Sequence, residues 1–159
     1  MIIVSDSSPL ISLAILRKLH LLEHFFSDIW IPKAVYDEIA QKGKPYSEEL
    51  KRFSRNRVKE VQNALAVRLL LDELDIGEAE ALVLALENNI ADILIDEYRG
   101  RKIATSRGLS VIGTVGVLLQ AKKKKLIAEV KPELDELMRN HRRVSEELYR
   151  KALELADEI

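Results

Sequence analysis

Four short apolar runs, each followed at once by a stretch of helical periodicity, constrain this chain more than any other feature. "IIV" at residues 2–4 precedes a helical pattern over 9–26, and "DIWIP" at 28–32 precedes "KAVYDEIA". "ADILID" at 91–96 precedes "EYRGRKIATSRG", and "LSVIG" at 109–113 precedes "TVGVLLQAKKKK", for which Thr114 supplies a cap. Strand and helix alternating in this way predict a parallel sheet with helices on both faces. Residues 42–74 break the rhythm and predict an insertion of helices with one short strand, after which "GEAEALVLALENN" resumes as a helix. From Pro132 onward the chain predicts two amphipathic helices, with Leu134, Leu137, Met138, Leu148, Ala152 and Leu155 as their apolar stripes. With 159 residues and 47% hydrophobic content there is material for one core. The expected division is a domain over 1–130 and a helical extension over 131–159, packed on that domain or on a partner subunit.

The ends of the strand-like runs carry acids. Asp6 stands where the first strand meets a helix that opens "SSP", and Asp96 closes "ADILID" in the same way, with Glu97 directly after it. Taken alone, Asp6 is also an ordinary turn and capping residue. If the two strands are parallel neighbours, however, both aspartates lie at one edge of the sheet, where open α/β sheets bind ligands. Helical geometry, at about 100° per residue, adds Glu78 to the stripe of Leu82, Ala85 and Leu86 and adds Glu38 to the face of Ala34 and Val35. Glu80 and Glu87 are expected to point away. A single inward glutamate is explained by an ion pair with Lys or Arg. Four carboxylates at one edge call instead for a hard divalent cation, magnesium or manganese, because unpaired buried anions cost several kcal/mol.

Composition narrows the classes. A formal net charge of −1 gives no global basic field, so a polyanion would have to be held locally. The absence of cysteine excludes thiolate metal sites and a disulfide framework, and no signal-peptide pattern opens the chain; a soluble, cytoplasmic protein without membrane spans is expected. The 32% charged content with two methionines leans towards a thermophilic source. "HLLEH" at 20–24 matches the order of an inverted zinc-protease motif but equally forms the polar side of an amphipathic helix. A dehalogenase-like phosphatase would need an acid at position 8, which is serine, and a receiver domain would need an acidic pair at the first strand, where Ser5 precedes Asp6.

Five blocks in order, "IIVSDSSPLISLA", "IPKAVYDEI", "LDIGEAEALVLAL", "LIDEYRGRKIA" and "VIGTVGVLLQAK", resemble the successive motifs of the PIN-domain superfamily, in the branch of small stand-alone prokaryotic members. The resemblance spans residues 1–130. It implies a three-layer α/β/α sandwich with a mainly parallel sheet, here with the added helical tail. It further implies a metal-dependent ribonuclease that hydrolyses RNA phosphodiester bonds, with Asp6, Glu38, Glu78 and Asp96 as catalytic and metal-binding residues and Glu97 as an auxiliary ligand for Mg2+ or Mn2+. Ser7 and the basic residues Arg99, Arg101 and Lys102 are the candidates for contact with RNA. The same branch implies the toxin of a toxin–antitoxin pair, with a small antitoxin-like protein as partner, and a homodimer. Two departures from the family pattern, Glu78 where many active members have aspartate, and Leu94 and Ile95 where a Thr or Ser precedes the last acid, support an alternative: a catalytically degenerate RNA-binding or protein-interaction module.

Overall fold

The computed structural model describes residues 1–159. Its centre is a sheet of five parallel strands: β1 (Ile2–Ser5), β2 (Asp28–Pro32), β3 (Val58–Lys59), β4 (Asp92–Leu94) and β5 (Ser110–Ile112), in the order β3-β2-β1-β4-β5. The helices are α1 (Ser7–Ile15), α2 (His20–Phe25), α3 (Lys33–Ile39), α4 (Ser47–Ser54), α5 (Ala64–Leu70), α6 (Ile76–Glu87), α7 (Tyr98–Ser106), α8 (Thr114–Lys123), α9 (Lys131–Arg139) and α10 (Glu146–Leu155). This is the parallel α/β/α sandwich that the alternation predicts, and the 42–74 insertion contains its one short strand, β3.

Strand alternation divides the core in two. Successive side chains point to opposite faces, so Ile3 and Leu94 join a cluster of 23 buried residues, while Val4, Ile93 and Ile95 join one of 14 on the other side. α6 and α7 cover the smaller cluster. The larger one lies under α1, α3 and α8, and the tail belongs to it: Leu134 and Leu137 of α9 and Ala152 and Leu153 of α10, with Ala156 beyond, are all buried there. The expected stripe is only partly right, since Met138, Leu148 and Leu155 are 39%, 41% and 65% exposed. α10 turns Leu153 inward in place of Leu155. The end of the chain is pinned by Glu158, whose carboxylate accepts from the backbone N–H of Val130 and Lys131 at 2.7 and 2.8 Å and pairs with Lys122 at 2.9 Å. That contact satisfies free donors at the start of α9.

Two other expectations need correction. The helix over 9–26 is two helices, because Arg17 takes a left-handed conformation (φ 58°) and the Lys18 N–H returns to the Leu13 carbonyl. Apolar periodicity runs through that joint without recording it. Thr114 is the first residue of α8 rather than its cap; Gly113 precedes the helix in an extended conformation, which frees the threonine side chain for another contact.

Candidate active site

β1 and β4 end level with each other: Ser5 is opposite Leu94, and the Asp6 N–H donates to the Leu94 carbonyl at 2.9 Å. Asp6 and Asp96 therefore leave the same edge of the sheet. Asp6 is 5% exposed, and its Oδ1 is buried without any hydrogen-bond partner. Burial, and secondarily the charges of Glu78, Asp75 and Glu38, push its carboxyl up to about 8. An orphaned carboxylate oxygen at this position is costly unless something positive reaches it.

Glu78 comes to the same place from the start of α6. Asp75 caps that helix by accepting from the Glu78 N–H at 2.9 Å, and the Glu78 carboxylate accepts from the Asp75 N–H at 3.1 Å, a capping box that fixes the glutamate against the edge. It is buried as expected, and its pKa is raised, chiefly by burial, with the charges of Asp75 and Glu97 adding to it. Gly100 makes room for it. A Cβ at residue 100 would lie 2.5 Å from Ile95 Cδ1 and 3.3 Å from Glu78 Oε2. Of the inward stripe expected on α6, Leu82 and Ala85 are buried, but Leu86 is 40% exposed.

Glu38 differs from expectation in being exposed, because it sits on the last turn of α3 at the rim of the edge rather than beneath it. Ser7 Oγ donates to its Oε2 at 2.9 Å, and an atom built at the Cβ position of Gly77 would lie 3.5 Å from both Asp6 Oδ1 and Glu38 Oε2. Asp96 is turned the other way. Its Oδ1 accepts from the Thr114 N–H at 2.7 Å, and its Oδ2 accepts from Thr114 Oγ1 at 2.7 Å and from Ser8 Oγ at 3.4 Å. Asp96 thus caps α8 from outside that helix, and the hydroxyl partners missing at Leu94 and Ile95 are supplied by Ser8 and Thr114. Glu97, exposed at the start of α7, reaches the group only through its charge on Glu78.

Glu80 does not point into solvent. It is half-buried and accepts from the Ala34 N–H at 2.9 Å, so it caps the first turn of α3, and Glu87 likewise accepts from the N–H groups of Gln62 and Asn63 at 2.7 and 3.0 Å. These two acids hold neighbouring segments in place. The zinc reading of "HLLEH" loses its glutamate, since Glu23 is paired with Arg57 at 3.0 Å.

The edge offers only hard oxygen donors, one of them orphaned, which suits a hard divalent cation. No three His, Asp or Glu side chains converge as they stand to hold an ion. Asp6 feels the charges of Glu38 and Glu78, and Asp96 leaves the same edge of the sheet but is engaged with α8. A family model described as a PIN domain matches residues 2–158. The chain belongs to the PIN-domain family. Searches of curated proteins and of solved structures gave no match.

Basic residues of this PIN domain fall on two sides of α7. Arg99 and Lys102 flank a small pocket with Tyr98 and Glu73, and Arg99 Nη1 is 3.5 Å from the Glu73 carbonyl. Arg101 takes the other side, where its Nη1 donates to the Ile95 carbonyl at 2.9 Å beside Asp96 and Gly113. Sequence reasoning missed Arg142. Its Nη2 donates to the carbonyl and hydroxyl oxygens of Ser8 at 3.1 and 2.9 Å, and its Nε donates to Ser12 Oγ at 3.1 Å, so the tail reaches the serine that holds Asp96. Only the adjacent arginines in "HRRV" hint at it, and nothing local says where they go. No helix is long and apolar enough to cross a membrane.

Proposed function

We propose that this PIN domain is a divalent-metal-dependent endoribonuclease. The observation that carries the reading is Asp6 Oδ1, buried and unpartnered at the carboxyl edge of the sheet beside two further carboxylates. Asp6 and Asp96, with Glu38, Glu78 and the auxiliary Glu97, are the residues that would hold Mg2+ or Mn2+. A bound divalent ion supplies Lewis-acid stabilisation of phosphate charge and a water of lowered pKa. The chain's own groups do the positioning. Ser7 fixes the Glu38 carboxylate, Ser8 and Thr114 orient Asp96, and the capping box holds Glu78 to one rotamer. Arg101, anchored to the Ile95 carbonyl, presents its remaining donors next to Asp96, where a phosphate oxygen would be received.

A second reading, a catalytically silent RNA-binding or protein-interaction module, draws on one observation: both oxygens of Asp96 are already engaged by α8. The deciding experiment is incubation of a mixed RNA pool with and without manganese, with wild type and Asp6→Asn compared. Manganese-dependent cutting by wild type alone supports the nuclease; no cutting, together with unchanged thermal stability on adding manganese, supports the module. The toxin role, an antitoxin-like partner and a homodimer belong to the same proposal. Sedimentation at micromolar concentration tests the last of these.

A further inference from the structure

Arg142 follows His141, a left-handed residue (φ 61°), and its N–H returns to the Leu137 carbonyl at 2.9 Å, a bond of the kind that closes a helix and fixes the direction of the chain beyond it. The side chain so directed reaches α1. Its guanidinium meets only neutral partners there: Nη2 donates to the carbonyl and hydroxyl oxygens of Ser8 at 3.1 and 2.9 Å, and Nε donates to the hydroxyl of buried Ser12 at 3.1 Å. No carboxylate pairs with it. A serine hydroxyl has a single proton to give, and with Arg142 seated on the acceptor side of Ser8 Oγ that proton is left for Asp96 Oδ2, 3.4 Å away. This is the slack bond of the three on Asp96, since Thr114 holds the carboxylate through its N–H and Oγ1 at 2.7 Å each. A hydrogen bond of that length does not hold a hydroxyl rotor by itself, so the rotor is set from the arginine side, and a charged donor polarises it towards the carboxylate.

We propose that Arg142 is a positioning residue for Asp96, acting through Ser8 Oγ to fix the orientation in which that carboxylate serves as a metal ligand. The inference rests on the metal-dependent reading of the sheet edge and adds to it a group from the C-terminal tail. Loss of an outer partner of a ligand typically lowers metal affinity about 10–100-fold, and the slackness of the Ser8 bond puts Arg142 at the low end. Removing the guanidinium outright would also remove a positive charge near a cation site, an effect of opposite sign. Arg142→Lys separates the two, because it keeps the charge and loses the planar fork that serves two serines at once.

The test uses the full-length chain and two measurements. In chelator, the carbon-13 carboxyl resonance of Asp96 is compared in wild type, Ser8→Ala, Arg142→Lys, the Ser8→Ala/Arg142→Lys double variant and Glu158→Gln. The last loosens the tail at its other end without touching Ser8. The resonance is expected to move in Ser8→Ala, to move in the same direction in Arg142→Lys, and to move no further in the double variant than in Ser8→Ala, because the arginine acts only through the hydroxyl. In Glu158→Gln it should stay in place although the melting temperature falls. Calorimetric titration with manganese should then show affinity about tenfold weaker in Ser8→Ala and in Arg142→Lys, and unchanged in Glu158→Gln. An Asp96 resonance or a manganese affinity that Arg142→Lys leaves unchanged overturns the proposal. Equal changes in Glu158→Gln and Arg142→Lys also overturn it, by reducing the arginine to a support of the tail. Resonances that move as expected in a protein that binds no manganese keep the coupling of Arg142 to Asp96 and remove the metal.

Discussion

Asp6 carries the sharpest consequences at the scale of a single residue. Its carboxyl titrates at 3.8 in an unperturbed setting and at about 8 in the fold. Across that interval the folded state keeps a proton that the unfolded chain has released, so metal-free stability falls as pH rises from 4 to 8, by up to about 1.4 kcal/mol per pH unit, and levels off above. Glu78, raised in the same direction, adds to the fall. Chemical unfolding in chelator from pH 5 to 9 measures it, and a stability that is flat or rising over this range would refute the burial argument. Asp6→Asn should remove most of the slope and be at least as stable as wild type at pH 9, because the amide cannot ionise. The same variant should lose all manganese-dependent RNA cutting, and wild-type cutting rates in it would sink the metal assignment. Added manganese should raise the melting temperature of wild type, and much less that of Glu78→Gln.

Between elements, the close approach of α7 to β4 at Gly100 makes a prediction of its own. Gly100→Ala should cost about 1–3 kcal/mol by forcing its methyl group against Ile95. Ile95→Val, which removes the clashing Cδ1, should restore part of that loss in the double variant, as read by thermal unfolding; no recovery would mean that the strain lies in the backbone. Glu80→Ala should lower stability by about 1 kcal/mol through loss of the α3 cap, while cutting per folded molecule stays at the wild-type level. The sequence predicts none of this about Glu80, and the reason is instructive. Helical periodicity tells which way a side chain leaves its own helix, and it located Glu78 against the sheet; it does not tell that the N-terminus of α3 lies within reach on the other side. Strands and their order of helices are legible because apolar runs and caps are local. The rotation of α10 and the engagement of Asp96 by Thr114 come from packing between separate elements, which local pattern does not encode, and the break at Arg17 is local but leaves the apolar periodicity unbroken.

For the molecule as a whole, the tail is an integral part of the larger core. Truncation after residue 141 removes Ala152, Leu153 and Ala156 from the larger core and Arg142 from Ser8 and Ser12. The truncated chain should melt well below the full-length protein and expose apolar surface, as dye binding would show; an unchanged melting temperature would make the tail a mere appendage. Because β1 lies at the centre of the sheet, it pairs with β4 nearly ninety positions later, and Ser8 meets Arg142 at a separation of 134 residues. At about 5–20 residues per second of synthesis, Ser8 waits about 7–27 seconds for its partner even to be translated. A nascent chain therefore presents Asp6 and Ser8 before Asp96, and later Arg142, has been made to meet them.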